Sequence, residues 1–329
     1  MPAEWTPHGA TWLAWPADAS LWKEDLAPAQ EEFAALCNAI AEDGRHVLVA
    51  DEPSERAARA ALGAAATFHR VKYGDIWLRD IAPIFVKNAQ GEVAAVSFGF
   101  NGWGQKYILD HDDEVSAAIA GLSRLRRFAF DWILEGGAVE VDGEGTLLTT
   151  RQCLLNPNRN ARCDRPAVEQ GLCEALGVEK ILWLDEGLAN DHTDGHVDTL
   201  ARFVSPGVVL CMSPQPDDPN RAVLEAIAAK LATFTDAKGR RLEVVPIASP
   251  GRVENEDGEL MPASYTNYYI GNAAVAVPTY GVPRDAEAVD AIAALFPGRR
   301  TVGLSAKAIL SGGGAFHCIT QQQPAERHA

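Results

Sequence analysis

The residues of this chain that could do chemistry gather in two short stretches far apart in sequence. Near the C-terminal end, Gly312-Gly313-Gly314 is followed by Ala315-Phe316-His317-Cys318. Glycine has no Cβ, so such a run lets backbone approach a ligand closely, and Gly314 is placed at the substrate. A cysteine just beyond it sits where a small molecule can reach the sulfur. Read alone, the stretch also fits a flexible turn feeding an edge strand that carries a buried thiol. The second stretch, Asp191-His192-Thr193-Asp194-Gly195-His196-Val197-Asp198, supplies the acid and base groups that a cysteine nucleophile needs.

A thiol attacks only as thiolate, and a positive neighbour or substrate must lower its pKa from about 8.5. His317 adjoins Cys318, but consecutive residues of a strand face opposite ways. His196, brought in from elsewhere, is therefore the expected general acid/base. In strand conformation His196 and Asp198 share a face, which suits an acid/base standing beside a carboxylate that holds a cation. The competing reading is a surface strand of mixed polarity. Asp80 follows Trp77-Leu78-Arg79 at a tight corner, and a carboxylate beside an indole face suits a guanidinium or ammonium ligand. The competing reading there is an Arg79–Asp80 structural ion pair. Glu135 precedes Gly136-Gly137: a turn residue by default, a further carboxylate if the glycines open access. Guanidinium presents a planar fork of five N–H donors and is matched by several carboxylates. One cysteine, one histidine and three acids thus point to attack of sulfur on a guanidinium carbon.

A rival from another class is a metal-dependent hydrolase with His192, His196 and Asp198 as ligands. That spacing binds metal from a helix, and Thr193, Gly195 and the strand-like sequel argue against a helix here. A catalytically idle binding protein is a third possibility, which the intact cysteine and histidine disfavour.

The elements that must position these residues follow a strand–helix–strand rhythm. A first buried strand over 11–16 is followed by a helix over 24–42 with Phe33, Leu36, Cys37 and Ile40 at helical spacing. Strands near 45–50 and 68–72 flank a helix near 53–62. Paired strands over 84–87 and 92–100, a loop at 101–104, a helix over 112–121 and a strand over 126–130 come next. Beyond Glu135, a hairpin turns at Asp142-Gly143-Glu144-Gly145. The second half repeats the pattern: helices near 165–176, 217–233 and 285–295, with strands at 180–184, 196–204, 207–212, 241–247, 264–270, 272–277, 300–304 and 316–320. Five strand-rich units result, each with one helix and none resembling another in sequence. With no linker in between, they read as a single domain over 1–329. The acidic run 254–259 reads as a solvated loop that could at most edge the site.

Composition narrows the partners. The 329 residues are 47% hydrophobic, with no apolar run long enough for a transmembrane span and no signal-peptide pattern at the start; the expected location is the cytoplasm. Six cysteines without a CxxC pair argue against a disulfide framework or structural zinc. A net charge of −16 without a basic patch excludes nucleic acid as an expected partner and favours a small cationic ligand. A homo-oligomer is left open.

Taken together, Trp77-Leu78-Arg79-Asp80, Glu135-Gly136-Gly137, Leu154-Leu155-Asn156-Pro157-Asn158-Arg159-Asn160, Gly195-His196-Val197-Asp198 and Gly312-Gly313-Gly314 with His317-Cys318-Ile319-Thr320-Gln321-Gln322 resemble the agmatine deiminases. More broadly they resemble the bacterial peptidyl-arginine deiminase family of guanidino-group modifying enzymes. The resemblance covers nearly the whole chain in order. It implies an α/β pentein fold, a pseudo-symmetric propeller of five ββαβ units around a central site. It also implies Cys318 as nucleophile, His196 as general acid/base, Asp80 and Asp198 on the guanidinium nitrogens, Glu135 near them and Trp77 lining the pocket. The implied reaction is hydrolysis of agmatine to N-carbamoylputrescine and ammonia through an amidino-cysteine, with no cofactor and no metal. A deiminase of free or peptidyl arginine is the alternative within the family. His192 stands where the family usually has an acid near the distal amine, and Ala315-Phe316 replaces the usual Asn-Ile.

Overall fold

The computed structural model describes residues 1–326. Its strands are β1 (His8–Ala14), β2 (Arg45–Val49), β3 (Thr67–Arg70), β4 (Ile84–Lys87), β5 (Val93–Gly99), β6 (Arg126–Ile133), β7 (Glu140–Val141), β8 (Thr146–Thr150), β9 (Lys180–Leu184), β10 (Ala201–Ser205), β11 (Val208–Ser213), β12 (Glu243–Ala248), β13 (Tyr269–Ile270), β14 (Ala274–Thr279), β15 (Arg300–Ser305) and β16 (Gln321–Pro324). They form five small sheets: β4-β5-β6, β7-β8-β9, β10-β11-β12, β13-β14-β15 and β16-β1-β2-β3. In each, an antiparallel pair is followed by a parallel pair, as in Arg202 opposite Leu210 and Leu210 beside Val245.

A parallel pair needs a crossover, and a helix supplies it each time. Leu26–Ala39, Asp112–Ser123, Arg165–Leu176, Arg221–Leu231 and Asp285–Leu295 fill these positions in the five units, and Glu52–Leu62 makes the additional crossover from β2 to β3. The expected ββαβ unit is thus repeated five times in the pentein propeller. One unit is split between the ends of the chain, since β16 pairs with β1. Middle strands such as β8 and β14 are buried along most of their length, as strands covered on both faces must be. The first crossover helix buries Ala29, Phe33, Leu36 and Cys37 along one stripe. Asp164 accepts the Ala167 N–H, with a proline in the first turn, and so starts the helix Arg165–Leu176.

Three expected strands are turns in whole or in their first residues, and the difference matters for the site. At 196–198 the chain makes the 3₁₀ turn Val197–Thr199; Thr193 Oγ1 accepts the His196 N–H, and Thr150 Oγ1 donates to the Gly195 carbonyl. These side-chain bonds take the place of a ladder until β10 begins. At 264–268, Ser264 and Thr266 bond each other and nearby carbonyls, and β13 starts only at Tyr269. At 316–320, Ile319 N–H bonds the Ala315 carbonyl and Thr320 N–H the His317 carbonyl, closing a helical turn before β16. Period-2 alternation therefore does not set the faces of His196, Asp198, His317 or Cys318. No helix among the described residues is long and apolar enough to cross a membrane.

Candidate active site

Each unit contributes to one centre through the turn just before its first strand. Asp80 precedes β4, Glu135 and Gly137 precede β7, His196 and Asp198 precede β10, Asn267 precedes β13, and Cys318 precedes β16. The first strands are the inner ones, with β16 against β4 and β7 against β10, so the five turns meet at the axis. Backbone bonds knit them together. Arg79 N–H donates to the Cys318 carbonyl at 3.0 Å, and His317 N–H to the Asn267 carbonyl at 3.1 Å.

The carboxylates converge where Gly137 has no side chain. A Cβ there would lie 2.5 Å from His196 Nδ1, 3.0 Å from Asp80 Oδ1 and 3.1 Å from Asp198 Oδ2; no other residue fits. Asp80 is anchored from two sides: its Oδ1 accepts the Gly137 N–H at 2.9 Å, and its Oδ2 the Trp103 indole N–H at 2.9 Å. Trp103 reaches it from a left-handed backbone conformation (φ 52°), a strained state for a bulky residue that the surrounding fold must hold. His196 Nδ1 lies 3.8 Å from Asp80 Oδ1. Neither ring nitrogen of His196 has a hydrogen-bond partner, nor does Asp198 Oδ1, and all three are buried. Buried polar groups without partners are uncommon, and they gather here.

Cys318 accepts a 3.1 Å bond from Asn267 Nδ2 to Sγ and points its thiol at Asp198 Oδ2, 3.6 Å away. Burial, then the charges of Asp198 and Asp80, push its pKa well above the ordinary thiol value, with the Asn267 bond opposing. Burial also raises Asp80, to about 6; His196 and Trp103 oppose the shift, while Asp198 and Glu135 add to it. Burial works against the charged form of His196, but Asp80, Cys153 and Glu135 outweigh it and raise the imidazole to about 10. The centre thus carries a surplus of negative potential into which a cation fits.

Above this floor opens a cleft of about 950 Å³, lined by Trp77, Asp80, Trp103, His192, Gly314 and Cys318 among others. Trp77 forms a wall: its indole N–H donates to Asp75 at 2.7 Å, as does that of Trp22 at 2.9 Å, and the two rings stack. Gly314 lets Trp77 close on the cysteine, since a Cβ there would lie 2.6 Å from Trp77 and 2.9 Å from Cys318 Cβ. The exposed ring of His192 sits at the rim, with Nδ1 3.2 Å from Tyr107 Oη. The acidic run read as solvated does edge the cleft, through Glu254, Glu256 and Asp257.

All the expected site residues therefore gather in one place, in two layers. Trp77, Asp80, His192, Gly314 and Cys318 face the cleft, while His196, Asp198 and Glu135 lie buried beneath it. Arg79 does not pair with Asp80; it bonds Gln321, Gln322 and the His317 carbonyl. Both oxygens of Glu135 accept from Arg159 Nε, at 3.0 and 3.1 Å, and Arg159 also bonds Asp194. Glu135 is thus held behind His196 rather than presented to the cleft. The metal set His192, His196 and Asp198 does not assemble. Among the described residues, the donor cluster within 4.8 Å is Glu135, Cys153 and His196, and the Arg159 charge on Glu135 does not suit a cation there.

Sequence reasoning missed Trp103, Asn267 and Glu4, and quoted Arg159 without giving it a role. Trp103 had a signal, an aromatic between two glycines in a polar loop. Asn267 and Glu4 had none.

The family model for Porphyromonas-type peptidyl-arginine deiminase matches residues 1–324. The agmatine deiminase of Stutzerimonas stutzeri is 41% identical, over 99% of this chain and 95% of its own. The agmatine deiminase of Enterococcus faecalis superposes with a TM-score of 0.94 at 34% identity, over 100% of this chain and 96% of that one. The fold alone extends to DDAH from Pseudomonas aeruginosa, with a TM-score of 0.53 at 12% identity, over 96% and 99%. The chain belongs to the Porphyromonas-type peptidyl-arginine deiminase family and is a hydrolase of C–N bonds in amidines.

Proposed function

We propose that this chain hydrolyses agmatine to N-carbamoylputrescine and ammonia, with Cys318 as nucleophile and His196 as general acid/base. One observation carries the assignment of roles: a buried imidazole and two buried carboxylates meet around Gly137, the buried Cys318 thiol faces one of those carboxylates at 3.6 Å, and Asp198 Oδ1 and both His196 nitrogens are unpaired. Asp80 and Asp198 hold the guanidinium nitrogens beside the sulfur. In the free site burial, and then the charge of these carboxylates, keeps Cys318 protonated. An arriving guanidinium cancels their charge, so the substrate itself favours loss of the thiol proton to solvent in the cleft, where the ammonia later released takes it up.

The thiolate then forms a bond to the guanidinium carbon. His196, held as imidazolium by Asp80, gives its proton to one nitrogen, and the C–N bond breaks to release ammonia. An amidino-cysteine remains. Water adds to its carbon while His196 takes a proton back; the C–S bond breaks, the departing sulfur takes the second oxygen proton and is a thiol again, and the carbamoyl product leaves. Glu135 and Arg159 steady the imidazole from behind.

The acidic rim supports agmatine over free arginine, whose carboxylate would meet Glu254, Glu256 and Asp257. The preferred partner is thus a small dication, no cofactor takes part, and the expected setting is cytoplasmic, in keeping with six free cysteines. The test is ammonia release together with carbamoyl colour formation from agmatine, arginine, small guanidines and an arginyl peptide. Agmatine should give the highest kcat/KM; a better rate with arginine or the peptide overturns the substrate assignment.

A further inference from the structure

The residue next to Cys318 in sequence belongs to a buried chain that substrate does not reach. His317 is 2% exposed, and its Nδ1 lies 2.7 Å from Asp198 Oδ2 while its Nε2 lies 2.8 Å from Glu4 Oε2. Glu4 comes from the segment before β1 and is buried as well. Its Oε1 accepts the Ile270 N–H at 2.7 Å, and its Oε2 faces Arg202 Nη2 at 3.0 Å and Arg79 Nη2 at 3.5 Å. Arg202 also bonds Glu140 and the Tyr268 carbonyl, and Arg79 bonds Gln321 and Gln322. The charged groups around His317 are thus Glu4, Asp198, Arg79 and Arg202, from three different parts of the chain.

An ionised carboxylate has no proton to give, and a neutral imidazole donates from one nitrogen only. Two such short contacts on one ring therefore need two protons among Glu4, His317 and Asp198. Asp198 Oδ2 is committed to this chain, while Oδ1 is buried without a partner. The carboxylate can then receive a guanidinium in one orientation only.

We propose that Glu4 and His317 are positioning residues: through their shared protons they keep Asp198 ionised and turned toward the substrate, so that the N-terminal segment completes the active site from behind. For Asp198 the electrostatics agree, although burial, then Arg202 and Arg79, lower the pKa of His317 against the pull of Glu4 and Asp198. Burial favours the neutral acid, but the bond and charge of His317, then His196 and Arg202, outweigh it and hold Asp198 below the usual carboxylate range. Asp80, raised to about 6, is then the carboxylate whose protonation limits the free enzyme on the acid side.

The inference rests on the deiminase reading for its readout, and wild-type turnover of agmatine tests that reading separately. Should another guanidine prove the better substrate, the same profiles are taken with it. The experiment is kcat/KM against pH for full-length wild type, His317→Gln and Glu4→Gln, after thermal melts. Wild type should fall on the acid side with a slope of one, from Asp80. In His317→Gln, Asp198 loses the imidazole it shares with Glu4, for which a neutral amide N–H is the most glutamine can offer, and titrates alongside Asp80, so the acid limb steepens toward a slope of two and moves to higher pH. The plateau should drop about ten- to a hundredfold, as for loss of one charge-assisted hydrogen bond, and more through KM than kcat. Glu4→Gln should move the limb the same way but less. If His317→Gln melts without a cooperative transition, Glu4→Gln decides alone, because Arg202 keeps Glu140 in that variant. Lower plateaus with an unchanged limb would show a merely structural role and overturn the proposal.

Discussion

Replacing Asp80 by asparagine removes one charge and almost no volume, so its effect can be worked out from the contacts. Asp80 is 6% exposed and accepts from Gly137 N–H and Trp103 Nε1–H. An asparagine oxygen can keep one of these bonds, but its NH2 must then face the other N–H, donor against donor. A guanidinium bound beside it would also lose its countercharge. Breaking a buried pair from one side costs about 3–5 kcal/mol, or about a hundred- to a few-thousandfold in kcat/KM. A second signature follows from His196, whose pKa is raised to about 10 with Asp80 as the largest upward cause. With Asp80 neutralised, His196⁺ gives up its proton at lower pH, so the basic limb of the profile should move down. Ammonia release from agmatine is measured between about pH 5 and 10, with the exposed Asp217→Asn as control, expected within about 0.5 kcal/mol of wild type. Activity of Asp80→Asn within threefold of that control, or a basic limb that stays in place, would refute the reasoning.

Other outcomes can be checked with the same preparations. Cys318→Ala should abolish ammonia release with the melting transition preserved; substantial residual turnover would remove the sulfur from the mechanism. Dialysis against a chelator should leave wild-type activity intact, and loss of activity with recovery on adding zinc would revive the metal reading. His192→Asp places a countercharge at the rim and should lower KM for agmatine more than it changes kcat; identical kinetics would show that the substrate's far end lies elsewhere. Asp112 is buried, and burial raises its pKa to about 7. Its Oδ1 takes the Gly74 and Asp75 N–H groups while Oδ2 has no partner. The folded state then binds the extra proton, so this group's stability cost grows as pH rises from about 4 to about 7. Asp112→Asn should accordingly raise the melting temperature above pH 7 and match wild type near pH 4, and an equal shift at both would argue against this ionisation.

The residues that gather at the candidate site could be named from sequence because chemistry restricts residue type. Few side chains attack a guanidinium carbon or countercharge its nitrogens, and Cys318, His196, Asp198 and Asp80 stand beside glycines or corners that leave them accessible. The rhythm of strands and helices was legible too, since hydrophobic spacing follows local backbone geometry and the core of each unit is built from it. What the sequence could not supply was the geometry of the turns before the inner strands. Around His196, at 264–268 and at 316–320, short polar side chains bond nearby backbone groups and close turns where period-2 patterning expects strand. Roles settled by distant contacts were equally out of reach. Arg79 passes over the adjacent Asp80 for partners on β16, and Glu135 turns to Arg159. Glu4 meets His317 313 positions away, only because β16 returns to pair with β1 and brings both ends of the chain to the axis. Local patterns depend on neighbours in sequence, whereas a buried ion pair or a shared proton depends on which distant groups the closed ring of units brings within 3 Å or so, and that was decided by the tertiary structure.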